Sequence, residues 1–367
     1  MVMKMKCLSN VERATYPIEL VMELTKLYQF KGKDFYYEDF LKNHLDGIIR
    51  TTVEKDTLAL ARILKLDVSD NRLKLLIRKD SNPKTKDEIV VKNIKEVFDL
   101  IQEKSESIEL TTNEFLQLGM RIFRKHTRID FDNLTEVVQV HLLQEKKIVS
   151  KRINLEEELN LYARHLLNEN VETTLLVTNF YVDVLNLNIF NAYNEELSLL
   201  ILYCLLFRQR FNVFKYMSFF EMYEKHLKEF EQAKAKASYR WDTGYSNTDD
   251  LNTLIIHMLN EGYLNVEKMV QDTDFDKKLN KIDNVKAAIM KLPQTFTKAQ
   301  ISQIYPYISQ TTINRALASL QEEGKISSNG TGRSATWNKT VTDDIFATKG
   351  RQMTLFDYNE MKNEKDI

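Results

Sequence analysis

Asn188-Ile189-Phe190-Asn191-Ala192-Tyr193-Asn194-Glu195-Glu196 runs directly into Leu197-Ser198-Leu199-Leu200-Ile201-Leu202-Tyr203-Cys204-Leu205-Leu206-Phe207. A short polar turn feeds a helix with almost no polar side chain on any face, and only the centre of a helical domain can hide such a helix. The first-turn N–H groups of a central helix are free and its dipole favours negative charge, so the turn at its head is where an anion site is expected. Phe211-Asn212-Val213-Phe214-Lys215-Tyr216-Met217-Ser218 follows. Its aromatic residues, with Phe219 and Phe220, sit at near-helical spacing and read as core.

This stretch resembles the centre of the Fic (Fido) family, whose turn H-P-F-x-(D/E)-G-N-G-R precedes a buried helix and an ending close to K-Y-x-S. In that register Asn188 stands at the catalytic His, Ile189 at the Pro, Phe190 at the Phe and Ala192 at the acid. Tyr193 and Glu195 stand at the two glycines, Asn194 at the Asn and Glu196 at the Arg. Only Phe190 and Asn194 match. The resemblance implies transfer of AMP or another phosphate-containing group to a hydroxyl, with the His as general base, the glycines closing the backbone round the phosphates and the Arg neutralising them. Asn188 has no titrating group. Tyr193 brings a ring where the family has none, and Glu195 and Glu196 place two carboxylates where phosphate would bind, an opposition of several kcal/mol at a partly buried site. The expectation is a degenerate site, no catalytic residue and no cofactor.

The resemblance extends upstream. Relatives carry K-G-K, then an inhibitory helix motif S-x-x-x-(S-N)-x-I-E-G, an Arg and an E-I pair. This chain has Lys31-Gly32-Lys33, Asp56 to Lys65, Arg72 and Glu88-Ile89. Leu64 then takes the place of the restraining Glu; a second register, Lys42 to Gly47, keeps an acid and loses the Ser.

The 367 residues allow two or three domains. Hydrophobic content of 43%, charged content of 29% and a net charge near −1 describe a globular chain with a sizeable core, and confine any nucleic-acid surface to a local patch. Nine glycines and four prolines point to helices with short connections. Cys7 and Cys204 give no disulfide framework, the apolar helix 197–207 is too short to span a bilayer, and the first residues lack a signal-peptide core. A cytoplasmic protein without membrane contact is expected. The six histidines form no H-x-x-x-H pair and there is no C-x-x-C, so no metal site is expected.

The pattern predicts helices from about Ser9 to Lys104 and over Leu110–His126. Thr135–Ile148 alternates and reads either as a hairpin over the site or as a helix. A further helix is predicted from Asn154, and Leu175–Leu187 precedes the central turn. Ser218-Phe219-Phe220-Glu221 has the capping-box form and opens one long helix to about Ala237. Trp241 to Tyr245 reads as a turn like the family's W-x-x-G segment, and a helix follows over Asp250–Glu261.

A winged helix-turn-helix is predicted over Val285 to Lys339. Thr297-Lys298-Ala299-Gln300 is a capping box, and Ser309 caps a second helix whose buried stripe is Ile313, Ala316, Leu317 and Leu320. Gln310, Thr311, Thr312, Asn314 and Arg315 then face outward. Asn329-Gly330 turns a hairpin. Between Met290 and Thr340 six basic residues (Lys291, Lys298, Arg315, Lys325, Arg333, Lys339) stand against two acidic ones. Duplex DNA is the expected partner, with the outward residues in the major groove and Lys325, Arg333 and Lys339 on phosphates; the bland reading is a dimerisation or docking module of the same fold. Gln352-Met353-Thr354-Leu355-Phe356 resembles the pentapeptide that binds the bacterial sliding clamp, with Leu355 and Phe356 filling a pocket beside Gln352.

The expected architecture is mainly all-α: an N-terminal helical region (1–104), a Fic-like core (105–270), a linker or connecting helix (271–284), a winged helix-turn-helix (285–340) and a flexible tail (341–367). The expected function is an inactive Fic-like protein, a scaffold or homodimer platform, that regulates through DNA. The alternatives are an active AMP- or phosphate-group transferase with a rearranged site and a clamp-recruited replication factor.

Overall fold

The computed structural model describes residues 6–340 except 80, 105–106, 141–142, 245, 279–280, 306–307 and 331–334. The chain divides into two compact units, Met1–Gln271 and Asp272–Ile367.

The first unit begins with a 3₁₀ turn, Leu8–Arg13, followed by α1 (Ile18–Lys31), α2 (Asp34–Leu41), α3 (Leu45–Ile63), α4 (Asp70–Arg78), α5 (Lys86–Lys104) and α6 (Thr112–Ile122). An antiparallel hairpin of β1 (Asn133–Val140) and β2 (Leu143–Ser150) comes next, so the alternating segment is strand rather than helix. Then come α7 (Arg152–Asn168), α8 (Thr173–Leu187), α9 (Asn194–Arg208), α10 (Phe219–Lys225), α11 (Leu227–Ser238) and α12 (Asp249–Lys278).

Helix α9 is the axis of this unit. Every residue from Leu197 to Phe207 is buried, and each large aliphatic side chain so placed contributes roughly 1.5–3 kcal/mol relative to exposure. Tyr203, midway along it, lies 5.5–5.8 Å from the rings of Phe98, Phe214, Phe219 and Phe220. Phe214, Phe219 and Phe220, from α10 and the turn before it, are among the aromatic residues expected in the core, and Phe98 of α5 joins them. Residues on both sides of the expected 104/105 boundary, from Leu8 to Val270, belong to one apolar cluster, so no break separates those regions. Buried charge ties in the N-terminal segment: the Asp183 carboxylate accepts from the backbone N–H of Cys7 and Leu8, both at 2.9 Å, and from Trp241 Nε1 at 2.6 Å.

The single long helix expected from Ser218 to Ala237 is two. Ser218 caps α10 through Glu221 N, but His226 leaves helical geometry at φ −103°, ψ 20° and heads α11 instead. Its Nε2 lies 2.9 Å from Glu261 Oε2 on α12. A tertiary contact at that position accompanies the break, which local periodicity does not reveal.

The second unit contains α13 (Lys281–Lys291), β3 (Thr295–Thr297), α14 (Lys298–Ile304), α15 (Gln310–Glu322), β4 (Ile326–Asn329) and β5 (Thr336–Lys339). The strands form an antiparallel sheet in the order β3-β5-β4. Thr297 and Gln300 make the reciprocal capping box at α14, and Ser309 caps α15 through Thr312 N. Ile313, Ala316, Leu317 and Leu320 are buried against Phe296, Ile301, Ile326 and Trp337. Among the described residues no helix is long and apolar enough to cross a membrane.

Candidate functional site

The turn at the head of α9 is held by three neighbours. Asn188 ends α8 in the left-handed region at φ 48°, where Asn is tolerated better than most residues. Its carbonyl accepts from Lys151 Nζ at 2.9 Å, and Lys151 also pairs with Asp132 at 2.7 Å. Phe131 and Phe190 form an antiparallel bridge with rings stacked 6.1 Å apart. Asn191 completes the join: its side-chain oxygen accepts from Asp130 N at 3.0 Å, its backbone N–H donates to Asp130 O and its Nδ2 to Arg128 O. Lys151 and Asn191 are functional neighbours that the motif comparison does not identify, because both act through backbone groups that the sequence does not display.

Asn194 explains one of the two matches to the family pattern. Its Oδ1 accepts from Phe190 N at 3.1 Å, and its Nδ2 donates to Leu185 O at 3.0 Å. Phe190 itself is buried. Both matching residues hold the turn in shape; the residues that differ are those the chemistry would need.

Tyr193 adopts φ 55°, a left-handed conformation costing a non-glycine residue roughly 1–2 kcal/mol. Its ring stacks on Phe123 with centroids 4.0 Å apart and planes at 12°. Tyr193 is half-buried against Phe123 and His126.

Glu195 and Glu196 open onto a cleft of about 420 Å³ whose walls come from the end of α3, the head of α9, and α10 and α11. Four carboxylates line it: Glu195, Glu196, Glu224 and Glu231. Lys234 bridges Glu195 at 3.1 Å and Glu231 at 2.6 Å, and Arg62 reaches Glu224 at 3.3 Å. Burial alone would depress the Lys234 ammonium, but its hydrogen bonds to Glu231 and Glu195 hold it above its ordinary value. Burial also raises the Glu224 carboxyl, against the pull of Arg62. Arg62 and Lys234 are thus engaged by carboxylates, whereas Lys65, the third cation of the lining, and Glu196 have no side-chain ion pair or hydrogen bond among the described residues. Arg62, Ile63 and Lys65 place the end of α3 at the cleft, while Leu64 packs against the core.

Arg72 and Glu88 make a two-pronged ion pair, both contacts 2.8 Å, joining α4 to α5. The Arg72 guanidinium holds the Glu88 carboxyl down to about 2. Their arrangement is that of a structural clamp.

In the second unit Gln310, Thr311, Asn314 and Arg315 are exposed and Thr312 is half-buried. Gln310 Nε2 donates to Ser302 Oγ at 2.6 Å, and Thr312 is engaged with the cap residue Ser309. Lys325 lies 2.7 Å from Glu323, which Lys286 also contacts. Lys339 corrects the expected phosphate contact. It is buried, and its Nζ donates to Leu292 O at 2.5 Å and to Met290 O, capping the end of α13. Strand alternation turns it inward, beside Trp337 on the same face of β5. Arg333, Gln352, Leu355 and Phe356 lie outside the described residues. Among the described residues no group of three or more His, Cys, Asp or Glu is placed to hold a metal ion.

The chain's geometry matches a known fold. A Fic family protein from Desulfovibrio desulfuricans superposes over 90% of this chain and 98% of its own, with a TM-score of 0.52 at 12% identity. A Fic-domain signalling protein from Bacteroides thetaiotaomicron aligns over 67% of this chain and 97% of its own at 13% identity, with a TM-score of 0.48. No family model matches the sequence, and no curated protein aligns with it. The class is thereby defined: a mainly α-helical protein with a Fic-like fold.

Proposed function

We propose that this chain is a catalytically inactive Fic-fold protein that acts as a regulator, with its second unit a winged helix that binds duplex DNA. The observation that carries the inactive reading is the charge of the cleft: four carboxylates, one of them unpaired, at the head of the helix where an anion would bind. A polyphosphate brought there meets four carboxylates, with Arg62 and Lys234 already paired to them, and Asn188 offers no base to take a hydroxyl proton. Retention of the turn-holding pair Phe190 and Asn194 supports a scaffold kept for its shape.

The DNA reading is supported by the order helix, strand, two helices, hairpin, and by the polar face of α15. In such units the second helix of the pair enters the major groove. Incubation with labelled ATP and a panel of hydroxyl-bearing proteins should transfer no label; transfer that disappears in Asn188→Ala would establish a working transferase instead. A gel shift with mixed genomic duplex should show retarded bands that weaken in Arg315→Ala. Undiminished retardation in that variant would remove α15 as the DNA-reading element.

A further inference from the structure

The second unit distributes its charge in a way that bears on what it recognises, granted the DNA reading above. Among the described residues, four of its cations are engaged within the unit, while Lys291 and Arg315 are exposed. Lys339 is buried on backbone carbonyls. Lys325 and Lys286 share Glu323, and Lys298 lies 5.9 Å over the Trp337 ring. The strand facing solvent, β4, presents Ser327, Ser328 and Asn329, all uncharged. Phosphate contacts supply sequence-independent affinity and a steep salt dependence, and β4 itself adds no cation to them.

Helix α15 carries the opposite endowment. Thr311, Asn314, Arg315 and Ala318 are exposed on the side away from its buried stripe, at the 3-1-3 spacing of a single helical face. Gln310 and Thr312 are withdrawn from that face by their bonds to Ser302 and Ser309. Asn314 and Arg315 have no hydrogen bond or ion pair among the described residues, so both are free to pair outward. An Asn amide matches the N6 and N7 edge of adenine and an Arg fork the O6 and N7 edge of guanine, while Thr and Ala methyl groups suit the thymine methyl.

We infer that Asn314 and Arg315 are the specificity-determining residues of a direct base readout, selecting duplex DNA in which an A·T pair lies next to or one pair from a G·C pair, with Thr311 and Ala318 against the flanking thymine. Discrimination between duplexes comes from these base edges.

The test uses the full chain. A randomised duplex pool is enriched by binding at moderate salt, and fluorescence anisotropy compares the enriched duplex with a scrambled one for the parent, Asn314→Ala, Arg315→Ala and Arg315→Lys. The expected result is loss of about tenfold or more on the enriched duplex for all three, with the scrambled duplex little changed for Asn314→Ala and Arg315→Lys. Arg315→Lys keeps the charge and loses only the fork, so its effect isolates base reading from phosphate attraction. Circular dichroism on each variant confirms an intact fold, as expected for exposed positions. If the parent binds duplex but no sequence is enriched, or if Asn314→Ala and Arg315→Lys weaken both duplexes equally, the base-readout inference falls while DNA binding stands. If the parent binds no duplex even at low salt, the DNA reading falls and takes this inference with it.

Discussion

Asn194 Oδ1 accepts the backbone N–H of Phe190 at 3.1 Å across the turn that heads α9. With its other hand the same side chain donates to the Leu185 carbonyl, so one amide ties the end of α8, the turn and the start of α9 together. The contact separates what this turn has kept from what it has lost. Its shape depends on Asn194 and Phe190; its phosphate chemistry would depend on the positions held by Asn188, Tyr193, Glu195 and Glu196.

Asn194→Ala leaves the Phe190 N–H without its partner in a half-buried turn, while the Leu185 carbonyl keeps only the Asn188 N–H. The expected cost is about 1–3 kcal/mol, read as a lower urea midpoint at unchanged slope. Binding of DNA by the second unit should be unaffected in the folded range. A variant as stable as the parent would show that water replaces the side chain at no cost.

Asn188 occupies the left-handed region at the end of α8. Asn188→Gly should be close to neutral, and Asn188→Ala should destabilise by about 1 kcal/mol, because alanine bears the full steric penalty there. Equal stability of the two variants in urea would mean that the turn relaxes to another conformation.

The Asp56 carboxyl is fully buried where α3 meets α10. Burial pushes it up to about 7, although Ser218 Oγ and Phe220 N–H both donate to its Oδ1. A carboxyl whose folded value is raised holds a proton that the unfolded chain has released. Its contribution to stability is therefore fully present below about pH 4 and is lost as pH rises through about 7. Three pH units correspond to on the order of 4 kcal/mol. Burial also raises Glu158 to about 7, with the same sign. Urea unfolding between pH 5 and pH 8 should show stability falling with pH, and Asp56→Asn should flatten much of that slope. An unchanged slope in the variant would assign the dependence elsewhere.

ATP at millimolar concentration should not raise the melting temperature of the parent chain, because Glu195 and Glu196 face the position its phosphates would take. Glu195→Gly with Glu196→Arg reverses the charge at the helix head, and this double variant should gain a measurable ATP-dependent shift. A shift already present in the parent would contradict the electrostatic account of the cleft.

Lys339 should behave as a structural residue. Lys339→Met leaves two carbonyls at the end of α13 uncapped and is expected to destabilise the second unit by about 1–3 kcal/mol. At temperatures where the variant remains folded its affinity for duplex DNA should match the parent. Weaker binding by fully folded protein would restore Lys339 as a phosphate contact.

The sequence by itself determined a good deal here. An eleven-residue apolar run at 197–207 can only be a buried helix, and hydroxyl caps at Ser218, Thr297 and Ser309 fix helix starts through bonds to residues three along. Such signals are local, so they are legible without a fold. The identity of the turn residues likewise sets, in the register of the resemblance, Asn188 and Glu196 where the family pattern has His and Arg. Tertiary structure alone decided the rest. It set the break at His226, the hold of Lys151 and Asn191 on the turn, the ion pairs of Lys234 and Arg62 in the cleft, and the inward turn of Lys339. Each of these depends on a partner distant in sequence or on which face of a strand a side chain takes, and no local pattern specifies where a long cationic chain will find its acceptor.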